Sequence, residues 1–199
     1  YDLVLSNKSA FCHGVVTAAE ARHLCYCLTP TRFVWMYESY RQREGIGRGA
    51  DALLRLVIPW LRLWDQAASQ RVDRYVAISS TVRERIRKFY RRDSEIIYPP
   101  VDVASLRPNG EAAEDYFLIV SRLVPYKRID LAVDAFTRLG LPLWIAGEGR
   151  DRKALERRAG PTVRFLGRVS DEERTRLLQR CRALIFPGLE DFGLTPVEA

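Results

Sequence analysis

Tyr116-Phe117-Leu118-Ile119-Val120-Ser121-Arg122-Leu123-Val124-Pro125-Tyr126-Lys127-Arg128-Ile129 is the stretch whose reading decides the fold. It opens on an unbroken apolar run, which predicts a strand over 116–121 covered on both faces. A proline-containing loop follows, and then a helix is predicted over 129–139. The same alternation continues downstream, with strands expected over 142–146, 163–166 and 183–186 and helices over 152–159 and 170–180. Ser170 followed by Glu173 has the spacing of a capping box, which fixes the start of the last helix. Strands that alternate with helices and are apolar throughout argue for a parallel sheet with helices on both faces. Ligands of such sheets bind just beyond the carboxyl ends of the strands.

Upstream, Pro99-Pro100-Val101-Asp102 and the polar stretch to Asp115 read as a linker, because two prolines remove donors and disfavour helix. The boundary gives domains over 1–100 and 101–199. In the first, strands are expected over 3–6, 23–27, 74–78 and 95–98. A long helix is expected over 50–70, kinked at Pro59, with Leu53, Leu54, Val57, Leu61 and Trp64 on its inward face. Another over 79–90, capped by Ser79 or Ser80, turns Val82, Ile86 and Phe89 or Tyr90 inward. The chain opens directly on a strand, and it stops where Thr195-Pro196-Val197-Glu198 reads as an N-cap, a proline at N1 and a capping-box Glu. Both domains are therefore expected to be incomplete, and the piece to be inactive by itself.

The bulk properties exclude several classes. An apolar content of 47% and a charged content of 29% over 199 residues are those of a globular protein. No run of about 18 apolar residues occurs, so no membrane-crossing helix is expected. The net charge of +7 is densest over Arg83–Arg92, which reads either as a solvated helix face or as a patch for an anionic membrane. Nucleic acid is disfavoured because no groove-reading motif accompanies the charge. Cys12, Cys25, Cys27 and Cys181 contain no C-x-x-C pair, and only two histidines are present, so no metal site is expected. Reduced cysteines in a cytoplasmic protein fit better.

Four features fall at predicted carboxyl ends of strands in the second half. Arg122 and Lys127 flank a loop that enters a helix, where cations and free backbone N–H groups favour a diphosphate. Gly147-Glu148-Gly149 permits a tight turn and close backbone approach. Gly167 and Arg168 close a third strand. Glu190 and Glu198 bracket a glycine turn at a helix start, and carboxylates accept well from sugar and ribose hydroxyls. Alone, each has a plainer explanation: surface cations, simple turns, a surface acid, a capping residue.

Together, Ser-Arg-Leu-Val-Pro-x-Lys, Ala-Gly-Glu-Gly, Phe-Leu-Gly-Arg-Val and Phe-Pro-Gly-x-Glu-Asp-Phe-Gly-Leu-x-Pro-Val-Glu-Ala, in this order and spacing, resemble glycosyltransferase family four. The first half, from Cys25-Tyr26-Cys27-Leu28-Thr29-Pro30 to Tyr98-Pro99-Pro100-Val101-Asp102, resembles its mannosyltransferase-like group. The resemblance implies an α/β GT-B fold of two Rossmann-like domains with parallel sheets, acceptor side first and nucleotide-sugar donor side second. It implies a retaining transfer of a hexose, mannose from GDP-mannose for that group, to a glycan or lipid-linked acceptor at the inner face of a membrane. Arg122 and Lys127 would bind the donor diphosphate, Glu190 the transferred sugar, Glu198 the ribose, and Gly167 with Arg168 the base. No cofactor or metal is implied, since two cations neutralise the leaving charge.

The resemblance breaks at Leu28, where many relatives carry His and where Leu cannot hydrogen-bond a sugar. His13, on a loop after a strand, is a better substitute than His23, which opens one. A non-catalytic nucleotide-binding or scaffold module on the same fold stays open as the alternative.

Overall fold

The computed structural model describes residues 1–103, 106–108 and 110–199, so positions 104, 105 and 109 of the expected linker lie outside the described residues. Two compact units result, Tyr1–Pro99 and Pro100–Ala199.

In unit 1, β1 (Leu3–Lys8), β2 (Arg22–Cys27), β3 (Arg74–Ala77) and β4 (Ser94–Ile96) pair in that order, all parallel. Between β2 and β3 lie α1 (Arg32–Trp35), α2 (Tyr37–Glu44) and α3 (Arg48–Ser69); α4 (Ser80–Tyr90) joins β3 to β4. His23, Cys25 and Cys27 of β2 are buried together, because alternate residues of a strand share a face. Burial pushes the Cys25 thiol up to about 11, so it stays protonated within the core. Ser79 is the cap of α4: its Oγ accepts from Val82 N at 3.2 Å. Val82, Ile86 and Tyr90 then turn inward, and Arg91 ends the helix in the left-handed region at φ 55°. Phe89 is half-buried and stacks on Trp35 at 4.9 Å.

The expected helix faces need correction. Helix α3 carries Pro59 within it, and its buried positions are Ile58, Asp65, Ala68 and Ser69. Of the face expected inward, Leu53, Val57 and Trp64 are exposed. Helices α1 and α2 were not foreseen; α2 is too polar throughout to show an apolar stripe. Most of the Arg83–Arg92 stretch is solvent-facing, but Arg92 donates to the carbonyls of Ser69, Gln70, Val72 and Asp73, holding the end of α3 and the turn into β3.

A polar hub explains the buried Asp65. Its carboxylate accepts from Thr31 Oγ1 at 3.0 Å, Trp35 Nε1 at 2.6 Å and Tyr90 OH at 2.7 Å. Lys8 Nζ, fully buried, donates to Ala10 O at 2.7 Å and Thr31 Oγ1 at 3.1 Å and lies 3.7 Å from Asp65 Oδ1. Burial lowers the Lys8 pKa despite the Asp65 charge. His13 Nε2 meets the Asp65 carbonyl at 3.3 Å; a carbonyl only accepts, so Nε2 carries the proton and Nδ1 is a buried acceptor without a partner. The two histidines considered as replacements for a sugar-binding His are thus both core groups; His23 Nε2 pairs with Ser6 Oγ at 2.8 Å.

Burial, and then the Lys8 charge, lower the His13 pKa to about 4. The native state therefore stays neutral where the unfolded chain, at about 6.5, takes up a proton. Stability should be fully present above pH 6.5 and fall as the pH drops to 4, by on the order of 3 kcal/mol. Denaturant midpoints measured across that range should fall with pH, and His13→Phe should flatten the slope. An unchanged slope in the variant would refute the assignment.

Unit 2 contains β5 (Phe117–Val120), α5 (Ile129–Leu139), β6 (Leu143–Ala146), α6 (Arg152–Glu156), β7 (Val163–Gly167), α7 (Asp171–Arg180), β8 (Ala183–Leu184) and α8 (Leu194–Glu198). Its parallel sheet has the order β7-β6-β5-β8. Helix α5 puts Ile129, Ala132, Val133 and Phe136 on one stripe, packed with Ile119, Leu143, Ile145 and Leu155 against one sheet face. Leu177 and Leu178 of α7 cover the other with Tyr116 and Leu118. Each fully buried aliphatic side chain contributes about 2 kcal/mol, so this sandwich, not the surface ion pairs, fixes the strand ends. Ser170 caps α7 as expected, accepting from Glu173 N at 3.2 Å. The last helix differs: Gly193, at φ 83°, is its N-cap, Leu194 its first residue, and neither Thr195 nor Glu198 caps it. Among the described residues, no helix is long and apolar enough to cross a membrane.

Candidate functional site

The strand order of unit 2 places the site. The chain moves outward from β5 to β6 to β7, then returns to add β8 on the other side of β5. Loops leaving β5 and β8 therefore diverge to opposite faces, and a crevice opens between their carboxyl ends, where parallel sheets take ligands. Lys127 lies on the loop after β5 and Glu190 on the loop after β8. The Lys127 ammonium and the Glu190 carboxylate meet as an ion pair, with side-chain exposures of 19% and 18%. They are 63 positions apart in sequence, so no spacing rule could reveal the pairing.

The chain conformation around Lys127 is tightly set. Pro125–Lys127 form a 3-10 turn, and Arg128 follows at φ 54°, a left-handed conformation uncommon for a residue with a side chain. Its guanidinium grips Asp130 in the first turn of α5 at 3.2 and 3.3 Å. Arg122 is exposed and donates to Tyr126 OH at 2.6 Å, while Lys127 Nζ lies 5.5 Å from the centroid of the Tyr126 ring. Tyr126 thus holds both cations from one side chain. Gly188 completes the cradle; a Cβ there would come 2.9 Å from Lys127 O. Sequence reasoning passed over both residues, although each lies inside a quoted motif.

The loops after β5, β6 and β7 touch through their backbones. A Cβ at Gly147 would fall 1.9 Å from Ser121 O, and one at Gly149 2.1 Å from Leu123 O. Gly147 N also donates to Gly167 O at 2.7 Å. Gly167 is buried at φ 75°, and Arg168 beside it is exposed. Glu198 is held elsewhere: Arg174 of α7 donates to it at 3.4 Å. Both line an acid-rich cavity of about 500 Å³ with Asp102, Asp171, Glu172 and Thr175. Lys127 and Glu190 are thus directly joined, Arg122 reaches them through Tyr126, and Glu198 has Arg174 as its partner.

These features define an α/β protein of the GT-B type, and comparison with known proteins agrees. Residues 105–199 match the family model described as Glycosyl transferases group 1. The O-antigen chain mannosyltransferase C of Escherichia coli is 34% identical over 92 residues, 43% of this chain and 25% of that protein. Sucrose-phosphate synthase from Thermosynechococcus elongatus superposes over 100% of this chain and 53% of its own, with a TM-score of 0.76 at 17% identity. TarM of S. aureus, in complex with Fondaparinux, alpha-GlcNAc-glycerol and UDP, covers 89% of this chain and 39% of its own, with a TM-score of 0.61 at 16% identity. The chain spans between 24% and 44% of the length of the curated relatives it matches.

Proposed function

We propose that this chain is part of a retaining glycosyltransferase that moves a hexose from a nucleotide sugar to a glycan or lipid-linked acceptor. Unit 2 binds the donor and unit 1 stands on the acceptor side. The carrying observation is the Lys127–Glu190 pair across the β5/β8 switch point. As the glycosidic bond breaks, charge builds on the departing diphosphate. Lys127 and Arg122 meet that charge where it develops, so they stabilise the transition state more than the ground state. Two fixed cations do the work a divalent ion would otherwise do, and no metal or cofactor is required.

Glu190, released from Lys127 as the diphosphate arrives, accepts from hydroxyls of the transferred sugar. Glu198, steadied by Arg174, takes the ribose hydroxyls, and the Gly167–Arg168 loop meets the base. The carboxylate assists by hydrogen bonding, and the acceptor attacks from the face the leaving group vacates, which retains configuration. Mannose delivered as GDP-mannose is the donor we favour, since the E. coli relative is a mannosyltransferase. The reaction would take place at the cytoplasmic face of a membrane.

Adding GDP-mannose to the full-length protein should raise its thermal midpoint, because a ligand at 100 times its Kd stabilises the native state by about 2.7 kcal/mol. UDP and ADP sugars should shift it less. If no nucleotide sugar moves the midpoint, the reading fails; binding without transfer would favour the scaffold alternative.

A further inference from the structure

Arg122 and Lys127 are long side chains, and nothing in their own covalent structure fixes where their charges stand. Each has several rotatable bonds and loses that freedom when it must meet a phosphate at one place. The backbone beneath them is set. Leu123, fully buried, ties the loop to the one after β6: its N–H donates to Glu148 O at 2.9 Å, and Asp151 N donates to Leu123 O at 3.1 Å. Lys127 N then donates to Val124 O at 3.0 Å, Arg128 N to Pro125 O at 3.2 Å and Leu131 N to Arg128 O at 3.1 Å. These bonds follow one another from the loop into α5, so a side chain in this segment starts from a defined Cα.

Tyr126 stands on that segment, half-buried, four positions after Arg122 and one before Lys127. Its hydroxyl accepts from Arg122 Nη2 at 2.6 Å. Its ring centroid is 5.5 Å from Lys127 Nζ, inside the roughly 6 Å reach of a cation–π contact. The two cations are thus met by different parts of one short, stiff side chain, and each contact can be removed by itself. The chemistry of the holder also fits an anion site. A carboxylate in this place would grip both cations, but it would cancel their charge and repel a diphosphate. A phenol oxygen and a ring face are neutral, so they orient the cations and leave the positive charge for the ligand.

Each cation needs the tyrosine for its own reason. Arg122 is exposed, and among the described residues its hydrogen bond is the one to Tyr126. Without it, a solvent-facing guanidinium spreads over many rotamers. Lys127 is paired with Glu190, and on the proposed reading that carboxylate turns to the sugar as the diphosphate arrives. While one anion replaces the other, the Tyr126 ring is the contact that stays.

We propose that Tyr126 is a positioning residue of the diphosphate site: its hydroxyl sets Arg122 and its ring sets Lys127, so that both charges are in place before the donor binds. The inference rests on the glycosyltransferase reading, since Tyr126 acts through the two cations which that reading uses. The full-length protein is titrated calorimetrically with GDP, UDP and ADP, and the tightest binder is carried through a double-mutant cycle. Tyr126→Phe removes the hydroxyl and keeps the ring. It should weaken binding about five- to tenfold, the low end for a hydrogen bond to a charged group because Arg122 is exposed. Tyr126→Leu also removes the ring face and should weaken binding about threefold more. In an Arg122→Ala background, Tyr126→Phe should have almost no further effect, because the hydroxyl then has no guanidinium to hold. A tyrosine that only stabilised the loop would cost the same in both backgrounds. Unchanged thermal midpoints verify folding of each variant.

Wild-type affinity in Tyr126→Phe, or an equal loss in both backgrounds, overturns the proposal. In that case weakened binding by Arg122→Ala and Lys127→Ala still upholds the diphosphate site, so the two failures are told apart. If neither cation variant weakens binding, or if none of the three nucleotides binds the wild type, the glycosyltransferase reading falls and the role of Tyr126 falls with it.

Discussion

On the proposed glycosyltransferase reading, Lys127→Ala and Arg122→Ala in the full-length protein should each lower turnover about 100-fold or more, the loss expected when one preorganised charge stabiliser is removed. The two should not be equal. Arg122 is exposed and donates to Tyr126, so its removal strands no buried charge among the described residues. Lys127 faces Glu190, and removing the ammonium strands a mostly buried carboxylate beside the incoming diphosphate, adding like-charge repulsion to the lost attraction. Lys127→Ala should be the more damaging, and Lys127→Ala/Glu190→Gln should recover part of donor binding but not of turnover. Initial rates at saturating donor, with thermal midpoints as a folding control, decide this. Wild-type turnover in both single variants would remove these residues from the mechanism.

Asp65→Ala should destabilise unit 1 by about 3–5 kcal/mol, the range for breaking a buried ion pair from one side. The truncation leaves Tyr90 OH and Trp35 Nε1 without their acceptor and Lys8 buried with no counter-charge, while Thr31 Oγ1 can still donate to Ala10 O at 3.1 Å. Lys8→Met added to Asp65→Ala should recover part of the loss, because the cost lies in the stranded charge and not in the absence of the pair. Three of the four tryptophans, Trp35, Trp60 and Trp64, are in unit 1, so indole fluorescence against denaturant follows its unfolding. A midpoint within error of wild type would show the hub to be dispensable.

Local pattern foretold more of unit 2 than of unit 1. Apolar strands, the Ile129–Leu139 helix and the Ser170 cap are each written within a few consecutive residues, and the backbone follows them. Helix α3 misled because apolar periodicity marks a stripe without saying which side of it meets the core. Asp65 faces inward to serve partners 25 to 57 positions away, and Leu and Trp are turned out. At the candidate site, the loops at the strand ends could be read from the sequence, but the order β7-β6-β5-β8 could not, and that order brings Lys127 to Glu190. Helix α8 starts at Leu194 because Gly193 adopts a φ closed to most residues, and a Ser/Thr cap rule is blind to that.

The glycines after β6 have a further consequence for how such a site can change. At Gly147 and Gly149 the main chain rests on the carbonyls of Ser121 and Leu123, with no room for even a methyl group. The gap between the two loops is therefore a van der Waals distance and not a side-chain length. Descendants of this sequence can exchange what projects from the loops, and so, on the reading proposed above, alter which sugar or base is preferred, while the spacing between the loops stays constant. Growth of this loop is therefore directed to the exposed positions Glu148 and Arg150, while the two contact points admit glycine alone.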